Sequence, residues 1–228
     1  MKKVLFLILT IILAIPVYSV TRFYLPSTGE AQVCPTAAGL FAWGVKTAIT
    51  LECSVNKKNT PMVSYTGVSP AKGAASLIAR YVSDPIAAQN ISGTIHGQVQ
   101  GTQNGATAGN YPAFIAYVIS NDGKTLRGTF TNVIIGTTQY PNTPAYSNRY
   151  TPVFVNVTTV NAQDKDRIVF DIGYTSEAAS PKTASQYFGD SGVDLPSDEA
   201  TTQTTFEPWV EFSQTISFET PSVTILGE

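Results

Sequence analysis

The sequence predicts an all-β protein, an antiparallel β-sandwich of jelly-roll-like form, with a closed β-barrel as the alternative. Several short segments alternate apolar and polar side chains with a period of two, which is typical of half-buried strands. The connections between them are rich in Gly, Pro, Asn, Thr and Ser, the usual residues of turns. Charged residues make up only 13% of the 228 residues, about half the usual quarter. This low charge favours a β-rich extracellular or virion protein over a cytosolic helical enzyme.

The first 19 residues have the order of a secretory signal peptide. Lys2 and Lys3 precede an apolar run over residues 4–15, Pro16 ends the run, and the small residue Ser19 follows at the expected cleavage point. The alternative is an uncleaved membrane anchor, but the run is shorter than the roughly 20 residues that span a bilayer. We therefore expect residues 1–19 to be removed and residues 20–228 to form a single β-sandwich domain. The mature protein is expected to be secreted, periplasmic or held at the cell surface, without membrane association.

Three segments show the alternation most clearly: residues 91–100, 167–175 and 209–218. In the second segment, Phe170 and Ile172 are predicted to face the core and Arg167 to face solvent. In the first segment, His96 falls on the polar side and is predicted to be a solvated surface residue. It is the only histidine of the chain.

Other segments complete the predicted sheets. Residues 111–120 are apolar on both sides and predict a central strand, and the Asp-Gly pair at 122–123 predicts a hairpin to the next strand. Residues 77–83 predict another strand, and a short helix is an option at 71–79. Residues 21–25 predict the first strand.

The first and last strands are predicted to lie in one sheet, neighbouring or directly paired. The reason is that chain ends of a compact domain are often close together, and a free terminal strand would be an aggregation hazard. Phe212 and Ile216 are predicted to seal the core beneath them.

The charge balance argues against nucleic-acid binding. The chain has 14 basic and 16 acidic residues, and removal of Lys2 and Lys3 leaves 12 basic residues and a net charge of −4. A protein that binds nucleic acid usually presents a basic surface. We therefore expect no nucleic-acid partner.

The chain has two cysteines, Cys34 and Cys53. Because exported proteins meet oxidising conditions, an even number of cysteines favours a disulfide. The sequence predicts a bridge between Cys34 and Cys53, with two separate buried thiols as the alternative.

Two loops are candidates for binding. Tyr140, Tyr146 and Tyr150 lie in or beside a loop rich in Pro, Asn and Thr, where aromatic rings could stack on sugars, anchor a protein interface or simply pack over the end of the sandwich. A second loop is acidic, and carboxylates in loops are typical Ca²⁺ ligands. Its candidate ligands are Asp190, Asp194, Asp198 and Glu199. The alternative there is a solvated acidic loop without metal, and no other cofactor is expected.

Catalysis has weak support in the sequence. A Ser-His-Asp arrangement would need His96, and no Gly-x-Ser-x-Gly motif accompanies it. Carboxylates that could serve in glycoside hydrolysis are Asp171, Glu177, Glu207 and Glu211. Such pairs occur in any acidic chain, so we expect the protein not to be an enzyme.

Four segments carry a resemblance to known sequences: TRFYLPSTG at 21–29, DRIVFDIGY at 166–174, FGD at 188–190 and PWVEFS at 208–213. In order and spacing they resemble uncharacterised β-sandwich proteins of tailed-phage and environmental genomes. The resemblance spans nearly all of the mature chain and implies a virion or surface context but no activity. The signal peptide departs from a simple virion protein.

These observations lead to two hypotheses about function. The first is an exported, non-catalytic β-sandwich that acts as a structural or interaction protein on a cell or virion surface and self-assembles, for example through sheet edges. The second is a carbohydrate-binding module for a surface glycan, with Ca²⁺ as a stabilising ion.

Overall fold

The computed structural model of the protein describes residues 20–36, 43–44, 49–105, 107–131, 134–142, 147–150, 155–179, 182–189, 194 and 207–219. The predicted signal peptide, residues 1–19, lies outside this part of the chain. Every regular element in the described residues is a β-strand, which confirms the all-β class. No helix with the length and apolar character needed to cross a membrane occurs among these residues.

The described strands, in chain order, are β1 (Thr21–Tyr24), β2 (Ile49–Glu52), β3 (Val63–Thr66), β4 (Ala75–Val82), β5 (Gln89–Ile91), β6 (Thr94–Gln103), β7 (Asn110–Ile119), β8 (Leu126–Thr129), β9 (Ile134–Ile135), β10 (Ser147–Tyr150), β11 (Val155–Asn156), β12 (Val160–Ala162), β13 (Arg167–Ser176), β14 (Ala184–Phe188) and β15 (Trp209–Phe212). The first sheet contains β1, β3, β6, β10, β11, β14 and β15. The second sheet contains β2, β4, β7, β8, β9 and β13, and β5 pairs with β12 separately.

The two large sheets share one apolar core, which confirms the predicted sandwich. Phe23 and Phe212 of the first sheet and Phe170 of the second are fully buried in it. The ring centroid of Phe170 lies 5.2 Å from that of Phe23 and 6.1 Å from that of Phe212. Among the described strands neither sheet closes on itself, so the closed barrel is not the arrangement found.

In the first sheet, β6 is the central strand. Gln98 lies opposite both Trp209 of β15 and Tyr150 of β10, so these two strands occupy opposite edges of β6. The strand β14 pairs with the other half of β6, opposite Gln100, on the same edge as β15. The outer neighbours are β1, beside β15, and β3, beside β14.

The prediction that the first and last strands share a sheet is confirmed, and they pair directly. Thr21 lies opposite Phe212 and Tyr24 lies opposite Trp209 in antiparallel register. The chain then bends so that the Thr21 hydroxyl accepts a hydrogen bond of 2.7 Å from the Ile216 N–H. Phe212 and Ile216 are both buried, as predicted.

In the second sheet, β13 lies between β4 and β7. The predicted central strand at 111–120 is confirmed as β7, with Phe114 in the core between the sheets and Tyr117 in a second cluster on the outer face. The predicted hairpin is also confirmed, since Gly123 takes a φ of 75° and its N–H bonds to Ser120. The pairing of β2 with β4 is parallel, an exception to the antiparallel arrangement.

Two local predictions are wrong. The option of a helix at 71–79 fails because a turn with Gly73 at a φ of 75° leads directly into β4. Phe170 and Ile172 are buried as predicted, but Arg167 is only 5% exposed. Its Nη1 donates to the Ser83 carbonyl at 2.9 Å and its Nε donates to the Asn121 side chain at 3.1 Å. The reason is that β13 is covered on both faces.

The outer face of the second sheet is covered by the chain segment between β1 and β2. Trp43 belongs to a cluster that includes Tyr117 of β7 and Val169 of β13, and Ala31 and Val33 pack against the same cluster. This covering segment turns what would be a solvated face into a second, smaller core. It explains why the ten residues of β13 are all buried.

The predicted disulfide is wrong, because Cys34 and Cys53 are separate free thiols. Cys53 is buried in the core between the sheets, where burial raises the pKa of its thiol. Cys34 is exposed, and its carbonyl lies beside Gly123 in the segment that covers the outer face of the second sheet. The two residues therefore belong to different layers of the molecule.

Candidate functional site

Strand register collects polar side chains on the outer face of the first sheet. Arg22 lies opposite Glu211, and Glu211 lies opposite His96 on β6. Residues directly opposite each other in neighbouring strands point to the same face. Since Phe23 and Val210 point into the core, these three residues share the face away from it.

Four of the charged residues on this face form one network, here called the Arg22 cluster: Arg22, Lys57, Asp194 and Glu211. The Arg22 Nε donates to Glu211 Oε2 at 2.8 Å, and its Nη1 donates to Asp194 Oδ2. Lys57 forms a second ion pair with Asp194. The cluster therefore ties together β1, β15, the turn after β2 and the position of Asp194.

The pKa of Asp194 reflects this environment. Burial raises the pKa of the carboxyl, but the hydrogen bonds from Lys57 and Arg22 outweigh burial and lower it below its usual value. The Tyr24 hydroxyl donates a further hydrogen bond of 3.4 Å to Asp194 Oδ2, the oxygen that Arg22 also contacts. Asp194 is therefore held as an anion by two cations.

His96 and Trp209 lie beside the cluster. The two rings meet edge to face at 4.9 Å, and the Arg22 guanidinium carbon lies 3.9 Å from the centre of a Trp209 ring. His96 is only 6% exposed, so the prediction of a solvated surface histidine is wrong. Burial lowers the pKa of His96, and Glu211, whose Oε1 lies 3.9 Å from Nε2, opposes this only in part. His96 is therefore neutral at pH 7.

Sequence reasoning missed Arg22, Lys57 and Trp209. The available signal was the predicted pairing of the terminal strands, which places the arginine of TRFY near the acidic residue of WVEF. Lys57 had no such signal, because its role depends on how the turn after β2 folds back on β1. The Arg22 cluster joins segments that are distant in sequence through ion pairs and hydrogen bonds.

The tyrosine loop does not form the predicted platform. Tyr140 is fully buried, and its hydroxyl accepts a hydrogen bond of 2.6 Å from Gln186. Its ring packs against Gly101, where an added Cβ would lie 2.3 Å from a ring carbon. The prediction of Tyr140 as a ligand-binding residue is therefore wrong. The Tyr150 backbone pairs with β6, while its side chain and Tyr146 lie outside the described residues.

The predicted Ca²⁺ ligands are only partly described. Asp190, Asp198 and Glu199 lie outside the described residues. Asp194 already has two cationic partners, which makes it a poor ligand for a further cation. In the part of the chain that the structure describes, no three metal-ligating side chains are grouped closely enough to hold an ion.

A shallow cleft of about 500 Å³ lies elsewhere, between the turn after β2 and the end of the described chain. It is lined by Val55, Asp84, Pro85, Phe218 and Glu219. Burial, followed by the charge of neighbouring Glu52, raises the pKa of Asp84. The cleft is open and its carboxylates are the only ionisable groups that line it among the described residues.

Comparison with known proteins gives no family for this chain. No protein-family model and no curated protein matches it. Two crystal structures of a CocE/NonD family hydrolase from Staphylococcus aureus are distantly similar. One has a TM-score of 0.32 and 8% identity, covering 88% of this chain and 35% of the hydrolase. The other has a TM-score of 0.30 and 9% identity, covering 85% and 34%.

A structure of infectious bursal disease virus, Gt strain, has a TM-score of 0.25 and 8% identity over 85% of this chain and 55% of the viral chain. The chain thus spans about a third of the hydrolases and about half of the viral protein. At TM-scores of 0.32 and below, these likenesses carry no argument about function.

Proposed function

We propose that the protein is an exported, non-catalytic β-sandwich that acts as a structural or interaction protein on a cell or virion surface. The observation that carries the proposal is the Arg22 cluster. Its charged groups are engaged with one another and hold the first strand to the last strand and to Asp194. Glu211, a candidate carboxylate for hydrolysis, instead binds Arg22 and stabilises the fold.

The position of His96 supports the non-catalytic part of the proposal. A general base must reach a proton on the substrate and usually has a pKa near the working pH. His96 is buried against Trp209, and its pKa is lowered. Its neighbour Glu211 is committed to Arg22 by a hydrogen bond of 2.8 Å.

Surface shaving tests the proposal. Intact cells or purified particles of the source are treated briefly with protease, and the released peptides are identified by mass spectrometry. We expect peptides of residues 20–228 among them, with residues 1–19 absent. Recovery of the protein only after cell lysis would contradict a surface role. Turnover of an ester or glycoside by the purified protein, lost on His96→Ala, would overturn the non-catalytic part.

A glycan array addresses the rival function. With Tyr140 buried, a sugar platform would depend on Tyr146 and Tyr150 alone. We expect no reproducible preference for one sugar class. A preference that disappears in Tyr150→Ala but survives in Tyr111→Ala, a half-exposed tyrosine on β7, would favour carbohydrate binding instead.

A further inference from the structure

We infer that the outer edge of β3 is a docking edge for a second copy of this chain, through antiparallel pairing of β3 with the partner's β3. The inference rests on the proposed interaction role and specifies its partner and its surface. Self-association is one form that such a role can take, and β3 offers it an uncharged strand edge.

One side of the β3 backbone is hydrogen-bonded to β14, and the other side has no backbone partner among the described residues. Gly67 donates its N–H to the Ala184 carbonyl of β14 at 3.0 Å. Because these groups alternate in direction along a strand, Val63 and Tyr65 also face β14, whereas Ser64 and Thr66 face away from it. No described residue makes a backbone hydrogen bond to the outward groups of Ser64 or Thr66.

Three other sheet edges are capped or carry a charge over their described residues. On β1, Tyr24 exchanges backbone hydrogen bonds with Ser54 at 2.8 and 3.4 Å. On β2, the Glu52 N–H is bonded to the Gly29 carbonyl at 2.8 Å. The edge strand β8 carries a charged residue, Arg127, whose side chain pairs with Asp166. Capping segments and charges are the usual means of preventing edge-to-edge pairing. The strand β3 carries no charge, and no described residue caps its outer side.

The chemistry of β3 fits a copy of itself. Residues 59–71 contain no charged residue, so two copies meet without like-charge repulsion. Antiparallel pairing about Tyr65 would place Ser64 opposite the partner's Thr66. The half-buried Val63 and Tyr65 would meet apolar groups on one face, and the exposed hydroxyls would meet hydroxyls on the other.

The neighbouring surface supports the same occupant. Val68, just beyond β3, is 51% exposed and is one of few large apolar side chains in solvent among the described residues. A charged peptide would find no complementary charge on this edge. The strand has only four residues, and interfaces below about 1,200 Å² are weak. We therefore expect reversible association with a dissociation constant on the order of 0.1 mM.

Cross-linking tests the register. In a Cys34→Ser background, which removes the exposed native thiol, Ser64→Cys and Thr66→Cys are made as separate proteins of residues 20–228. Under mild oxidation we expect disulfide-linked dimers when the two proteins are mixed and few when each is alone. Absence of dimers in the mixture, or equal yields in all three samples, would overturn the proposed pairing.

Sedimentation velocity gives a second, independent readout. The average mass of the unmodified protein should rise with concentration, and that of Ser64→Lys should stay at the monomer value. Thr159→Lys adds the same charge at an exposed threonine between β11 and β12 and should behave as the unmodified protein. A monomer at every concentration, or equal effects of both lysines, would overturn the inference. If protease treatment of intact cells or particles releases peptides of this chain but the protein does not associate through β3, only this inference is refuted. If that treatment releases no such peptides, the proposed function is refuted.

Discussion

The outer faces of the two sheets use the same ion pair in different surroundings. On the second sheet, Asp171 is 0% exposed and accepts hydrogen bonds of 2.6 and 2.8 Å from the two arms of the Arg80 guanidinium. On the first sheet, Asp194 keeps 29% of its side chain exposed and pairs with Arg22 and Lys57. Both pairs link distant segments, but only Asp171 is a carboxylate fully shielded from water, while its partner Arg80 keeps 16% of its side chain exposed.

The difference between the two faces shows how burial changes the contribution of an ion pair to folding stability. Asp171 also accepts hydrogen bonds from Trp43 Nε1 at 3.2 Å and from the Tyr117 hydroxyl at 3.3 Å. Burial lowers the pKa of Arg80, but Asp171 outweighs burial and raises it, so the guanidinium stays charged. Removing one partner of a buried pair leaves an uncompensated charge, whereas water can replace a lost partner at an exposed one.

The largest effect is expected from Arg80→Ala. The variant leaves the carboxylate of Asp171 buried without its cation, which costs about 3–5 kcal/mol of the free energy of unfolding. Urea unfolding followed by tryptophan fluorescence measures it. In the control, Arg80→Met combined with Asp171→Leu removes both charges and should regain most of the loss. A single variant as stable as the parent would mean that the pair is open to water.

How far the sequence predicted the fold is clearest on β13. Alternation identified Phe170 and Ile172 as core residues, because the period of two separates the faces of a strand. It failed for Arg167, since alternation does not reveal whether the second face is covered. The covering segment with Trp43 lies more than a hundred residues away in the chain.

The candidate site shows the same limit. His96 was assigned to the correct face of β6, but that face turned out to be covered. The cysteines failed for a related reason, because the length of the loop between Cys34 and Cys53 does not show which layer each occupies. The pairing of the terminal strands succeeded because it rested on a general property of compact domains.

A smaller effect is expected from Arg22→Ala. Its pairs with Asp194 and Glu211 are partly exposed and worth up to about 1 kcal/mol, and its contact with Trp209 adds about 0.5–1 kcal/mol. The loss in unfolding free energy should shrink in 1 M NaCl, because salt screens exposed charges. Lys124→Ala is the control, since the Lys124–Asp122 pair is largely solvated and 4.0 Å long, and it should produce no measurable change. A loss as large as that of Arg80→Ala would erase the contrast between the two faces.

The smallest effect is expected from His96, on the outer face of the first sheet, as a change in the pH dependence of the unfolding free energy. Burial, with Arg22 adding to it, lowers the pKa of His96 below 6.5, against the opposing charge of Glu211. Between pH 6.5 and that lower pKa the unfolded chain binds a proton that the folded protein does not, so stability should fall as the pH falls through this window. Other groups contribute to the slope as the pH falls, and Asp84, whose pKa is raised by burial, contributes with the opposite sign. The informative quantity is therefore the difference between the parent and His96→Gln in unfolding free energy from pH 7.5 to 4.5. The variant should lose less stability than the parent on acidification, and the difference should vanish above pH 7.5. A parent that gains stability over His96→Gln on acidification would mean that Glu211 outweighs burial and that His96 is charged in the folded protein.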